Sequence, residues 1–135
     1  MSFRTQRRVD FCDTDLAGIV HFSNYLRYME AAEVAFLRER GLNVSLDFEG
    51  QHLGFPRVSV RCDYETPARF GDVLDIDVTL ERLGAKSVTY AFVFTRGGEI
   101  LARGTMTSVC CVATKGGRLE PIEIPEGIRA KLTAI

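Results

Sequence analysis

The chain has 135 residues, 46% hydrophobic and 26% charged, with 17 basic against 18 acidic residues and a net charge of −1. That length and apolar content suit one domain with a single core and exclude a disordered chain. The near-neutral balance holds no basic block, which excludes a nucleic-acid footprint built on clustered Lys and Arg.

Residues 3–11 alternate loosely, with Phe3, Thr5, Arg7, Val9 and Phe11 on one side, so they read as a first strand. A loop of turn-formers follows, from Cys12 to Gly18. Tyr25, Tyr28, Met29, Ala32 and Phe36 then recur at steps of three and four, the pattern of an amphipathic helix. Ser23 suits its N-cap and Gly41 its C′ position, so the helix is predicted over 23–40. From residue 56 the period becomes two. Val58, Val60, Cys62 and Tyr64 share one face, as do Leu74, Ile76, Val78 and Leu80, and Val88, Tyr90, Phe92 and Phe94. Gly97-Gly98 marks a hairpin turn, residues 99–113 read as one long final strand, and Thr114–Arg118 turns again. Pro125 is expected as the N1 residue of a short C-terminal helix. A strand, a long helix and four antiparallel strands define an α+β domain.

No apolar run approaches the roughly 20 residues needed to span a bilayer. The opening MSFRTQRRVDF lacks the apolar stretch of a signal peptide. Cys12, Cys62, Cys110 and Cys111 show no CxxC spacing, and reduced thiols in a cytoplasmic protein are the expected state. With His21 and His52 they make no metal-ligand pattern, so neither a metal nor another cofactor is expected.

Chemistry concentrates in Asp13-Thr14-Asp15-Leu16-Ala17-Gly18-Ile19-Val20-His21-Phe22-Ser23-Asn24-Tyr25, which runs two carboxylates, a glycine and a histidine into a helix start. Unpaired N–H groups at such a start suit an oxyanion, and a nearby carboxylate can serve as nucleophile or as base toward water. On residue types alone the aspartates read equally as turn caps. Cys12 has no base beside it and reads as an ordinary thiol.

Val9-Asp10-Phe11-Cys12-Asp13-Thr14-Asp15-Leu16-Ala17-Gly18-Ile19-Val20 resembles the signature of the 4-hydroxybenzoyl-CoA thioesterase family of hotdog-fold proteins. Tyr64-Glu65-Thr66-Pro67-Ala68-Arg69-Phe70-Gly71-Asp72 resembles that family's turn between strands, so the likeness covers nearly the whole chain. The resemblance implies a long helix wrapped by a curved antiparallel sheet of about five strands, paired into dimers or tetramers, hydrolysing an acyl-CoA without a cofactor. It makes Asp15 the nucleophile or general base, the backbone N–H at or near Phe22 the oxyanion donor, and Asp13 scaffold. His21 falls six residues after Asp15, one short of the catalytic histidine of many relatives, and is a candidate for facing the thioester, bonding Asp15 or supporting the loop. Glu30 stands where some relatives place an acid near an aromatic acyl ring. Arg82, Lys86 and Ser87 match the nucleotide end of CoA, with Arg118 a further possibility. Arg57 and Ser59 lie on the strand of subunit contacts and are expected to flank the pantetheine. Each of these charges also reads as a solvated surface residue. An acyl carrier protein thioesterase and a non-catalytic acyl-CoA binder are the alternative functions.

Overall fold

The computed structural model describes residues 2–134. In chain order it has β1 (Ser2–Arg8), a 3-10 turn (Phe11–Asp13), α1 (Asn24–Glu39), β2 (Ser45–Phe48), β3 (Gln51–Gly54), β4 (Arg57–Tyr64), β5 (Val73–Leu83), β6 (Ser87–Arg96), β7 (Glu99–Val109), β8 (Cys111–Ala113), β9 (Leu119–Pro121) and α2 (Glu126–Thr133). The main sheet is antiparallel, in the order β1-β5-β6-β7-β4, and a smaller sheet runs β2-β3-β8-β9.

Helix α1 forms where the 3.6-residue period predicts it, and it buries Tyr25, Tyr28, Met29, Ala32 and Phe36. It ends ahead of Gly41, whose φ of +72° is a conformation glycine adopts without strain. Against it lie Leu74, Ile76 and Val78 from β5 and Val88, Tyr90, Phe92 and Phe94 from β6, all buried as their alternation predicts. Each large side chain in this layer contributes about 1.5–3 kcal/mol by leaving water. Helix and sheet meet closely at Gly104 of β7, where an added Cβ would stand 2.6 Å from Met29 Cε.

Several expectations need correction. The first strand stops at Arg8, because Phe11–Asp13 winds into a 3-10 turn. The hairpin β2–β3 was not expected; each of its strands is only four residues long, too short for a clear period. The long strand over 99–113 breaks at Cys110, whose N–H turns to the Lys86 carbonyl, and Cys111 then pairs with β3 and β9. Pro125 is the N-cap of α2 rather than its first residue. On β4 the apolar face is open: Val58 is 61% exposed and Val60 44%. This strand is the sheet's edge, and Val58 falls at its bulge.

Candidate active site

The loop between the 3-10 turn and α1 folds back on itself. Thr14 and Val20 form a β-bridge, the Asp15 N–H donates to the Ile19 carbonyl at 2.8 Å, and the Gly18 N–H donates to the Asp15 carbonyl at 2.9 Å. Gly18 closes the turn with a φ of +79°, a backbone state that a Cβ would strain. The Ala17 N–H donates to Asp15 Oδ1 at 2.8 Å. That single bond fixes the carboxylate and leaves Oδ2 without a partner among the described residues.

Asp15 lines a cavity of about 340 Å³ together with Ile19, Val20, Phe22, Tyr25 and Tyr64, closed off by the 65–67 turn. Across the loop from the carboxylate, the Phe22 N–H has no acceptor among the described residues. Asp15, with an uncommitted carboxylate oxygen, and Phe22, with an uncommitted amide, thus line one mostly apolar cavity. This is the minimum equipment for attack on a carbonyl and stabilisation of the resulting oxyanion.

Asp13 is buried and fully committed. Its Oδ2 accepts from the Tyr28 hydroxyl at 2.8 Å and from the Asp10 N–H at 3.0 Å, and its carbonyl accepts from the Asn24 side-chain amide and the His21 N–H. Burial, with Asp13 beside it, pushes the Tyr28 phenol well above its ordinary value, so it remains a donor. Asp13 therefore clamps the loop to the first turns of α1, a scaffold role matching the sequence reading.

The other expected site residues scatter. His21 Nδ1 pairs with the Ser23 hydroxyl at 2.7 Å, and its ring stacks on Phe22 at 4.5 Å. It makes no bond to Asp15, and the same contact explains why Ser23 caps α1 in position but not by its side chain. Glu30 is exposed on α1, eight residues or about 12 Å of helix beyond Phe22, and stands 3.8 Å from Arg57. Ser59 opposes Thr107, whose hydroxyl bonds Thr89 on the side away from α1, as the alternation of β4 places it; the bulge between Arg57 and Ser59 instead turns Arg57 toward Ser108 and Glu33. Arg82, Lys86 and Ser87 sit at the β5–β6 turn, whereas the Asp15 loop meets the opposite end of β5, roughly 30 Å along the strand. Arg129 of α2 holds that turn by donating to the Gly84 and Ala85 carbonyls.

Two features escaped the sequence reading. Tyr64 appeared as a member of an alternating face and as the first residue of the family's turn, with no role of its own, yet its hydroxyl crosses to donate to the Phe22 carbonyl at 2.8 Å. Burial pushes its phenol up to about 12, so it is protonated at neutral pH. Glu33 is 1% exposed inside α1, ion-paired with Arg57 and within 3.5 Å of the Ser108 hydroxyl. Burial raises its carboxyl above the ordinary range, although Arg57 pulls it back. Among the described residues, no group of His, Cys, Asp and Glu is arranged to hold a metal ion, and no helix is long and apolar enough to cross a membrane.

A single long helix on an antiparallel sheet, with a carboxylate and a free amide at its start, is the architecture of a thioesterase-like protein. The profile of the thioesterase-like superfamily matches residues 9–132, and the chain belongs to that hotdog family. It is 33% identical over 128 residues to a 1,4-dihydroxy-2-naphthoyl-CoA hydrolase of a Synechococcus strain, covering 92% of this chain and 95% of the relative. It is 31% identical over 130 residues to a 4-hydroxybenzoyl-CoA thioesterase of a Pseudomonas strain, covering 92% of each. A solved hypothetical protein of Thermus thermophilus superposes with a TM-score of 0.83 at 34% identity, covering 96% of each chain.

Proposed function

We propose that the protein hydrolyses an acyl-CoA thioester to the free acid and CoA, with Asp15 as nucleophile or general base and the Phe22 N–H as oxyanion donor. The observation that carries this reading is the pairing of an unpartnered carboxylate oxygen with an unpartnered amide on one cavity. Asp15 Oδ2 either attacks the thioester carbon, expelling the CoA thiolate and leaving an anhydride that water cleaves, or takes a proton from the water that attacks. In both cases the carbonyl oxygen gains charge toward the Phe22 N–H. The names of the relatives above support a CoA thioester as substrate.

The distribution of the remaining residues supports a site shared between two copies. Antiparallel pairing of the open β4 edge with its counterpart would set the Arg57 end of one chain beside the Tyr64 end of the other. From that end, β6 begins two strands over, about 10 Å away. Arg82, Lys86 and Ser87 of the second copy would then face the CoA bound at Asp15, a distance the same chain cannot bridge.

Thiol release across benzoyl-, hydroxybenzoyl-, phenylacetyl- and short-to-long fatty acyl-CoAs tests the activity. Asp15→Asn is expected to lower kcat by orders of magnitude on the best of these with a modest change in KM. Retained kcat refutes the role of Asp15. For the shared site, mixing inactive Asp15→Asn with weakened Lys86→Ala should restore part of the activity, because one of the two hybrid sites is intact. No gain on mixing refutes the shared site.

A further inference from the structure

The Phe22 turn needs something to hold it at a fixed distance from a bound thioester, and Phe22's own side chain does not. The ring is 64% exposed and stacks on His21, its neighbour in the same turn. The peptide that carries the Phe22 N–H is oriented from within the turn, by the Asn24 N–H donating to the His21 carbonyl at 2.9 Å. The turn is also tied to the Asp13 side of the loop, by the His21 N–H and the Asn24 side chain. All of those ties lie on the loop itself. The Phe22 carbonyl stands outside the helical ladder, because the Leu26 N–H reaches Ser23 instead, and its partner is the Tyr64 hydroxyl.

Tyr64 belongs to β4, on the opposite wall of the cavity, and its ring is held there edge-on to Tyr25 at 5.2 Å. Among the described residues its hydroxyl is the one hydrogen bond that ties the Phe22 turn to that wall. We propose that Tyr64 is a positioning residue for thioester hydrolysis: by gripping the Phe22 carbonyl across the cavity, it sets the distance between the Phe22 N–H and the substrate carbonyl oxygen. This rests on the reading of Phe22 as oxyanion donor. A phenol suits the task, since it reaches from the strand to the turn and has few torsions to lose.

Tyr64→Phe keeps the ring and deletes the grip. Its kcat should fall roughly tenfold with KM within about twofold, because the lost contact serves the oxyanion rather than ground-state binding. The melting temperature should match wild type. The decisive readout is infrared difference spectroscopy of the best acyl-CoA of the panel, carrying 13C at the thioester carbonyl and bound to Asp15→Asn. The amide should shift the carbonyl stretch to lower frequency, and in Asp15→Asn/Tyr64→Phe that shift should shrink and the band broaden. An unchanged band together with an unchanged kcat in Tyr64→Phe overturns the role of Tyr64. Absence of any shift in Asp15→Asn itself would instead overturn Phe22 as oxyanion donor, so the two failures are distinct.

Discussion

Replacing Arg57 by Met strips the buried Glu33 of its counter-charge, and the structure sets the size of the effect. Glu33 is 1% exposed, and among the described residues its hydrogen-bond partners are Arg57 and the Ser108 hydroxyl. An unpaired carboxylate in that position takes up a proton rather than remain charged. In the unfolded chain Glu33 titrates near its ordinary value of about 4.3, so holding it protonated costs about 1.36 kcal/mol per pH unit above that point. At pH 7 that cost is about 3.7 kcal/mol, the most the substitution can lose through this proton, since wild-type Glu33 is itself raised and already bears part of it. The sign follows from the raised carboxyl: the folded state binds the proton more tightly, so stability falls as pH rises from the ordinary Glu range. At pH 5 the loss should accordingly shrink to at most about 1 kcal/mol. Urea unfolding of wild type and Arg57→Met at both pH values, each at two protein concentrations to separate association from folding, measures it. Glu33→Leu/Arg57→Met should recover most of the stability, since an apolar pair of similar volume tolerates burial. A loss independent of pH, or below about 1 kcal/mol at pH 7, refutes the account of Glu33 as a desolvated, Arg-compensated acid.

Tyr28→Phe removes a hydroxyl bonded to a buried carboxylate and should lower the urea midpoint by the equivalent of about 1.5–3 kcal/mol, with an unchanged m-value. Gly18→Ala forces a Cβ into a φ of +79° and should cost about 1–2 kcal/mol by thermal unfolding, while thiol release slows because Asp15 loses its place. Gly104→Ala drives a methyl to 2.6 Å from Met29 Cε and should destabilise by about 1–3 kcal/mol in the same assay. Iodoacetamide should modify exposed Cys12 first and spare buried Cys110, whose thiol burial pushes up to about 11, as intact-protein mass will show; Cys12→Ser should leave kcat unchanged.

What could be read from the chain beforehand was whatever a single period carries. Tyr25, Tyr28, Met29, Ala32 and Phe36 recur at steps of three and four through about three turns, and that run is long enough to define α1 and its buried face. The alternation in β5 and β6 located the core in the same way. Asp15 was legible only through the resemblance, since an aspartate in a turn-rich loop is chemically ordinary. Glu33 was not legible at all: it sits in the helical stripe as a charged residue, and its counter-charge lies 24 positions away on another element. The pairing of Arg57 with Glu33 escaped for a local reason: one bulged residue turns Arg57 to the side of Ser108, against the alternation of the rest of β4, and no side-chain pattern announced it. Arg82, Lys86 and Ser87 were placed by family likeness, and the strand that separates them from Asp15 is a distance that sequence order does not reveal.

Strand β4 shows why one element can be both the weakest boundary of the fold and a wall of the site. At one end Arg57 neutralises a buried acid, and at the other Tyr64 reaches over the cavity to the helix start. Between them Val58 and Val60 stand open, and the outer backbone groups of the strand have no neighbour in the sheet. A monomeric protein ordinarily blunts such an edge with charge or proline. Here the strand carries the exposed Arg61–Asp63 pair and a bulge at its start, while Val58 and Val60 stay uncovered between its two committed ends. In the shared site proposed above, a second β4 strand would cover this edge. On this account Tyr64 links the strand's position to the amide at Phe22, so whatever steadies β4 also steadies the place where the oxyanion would form.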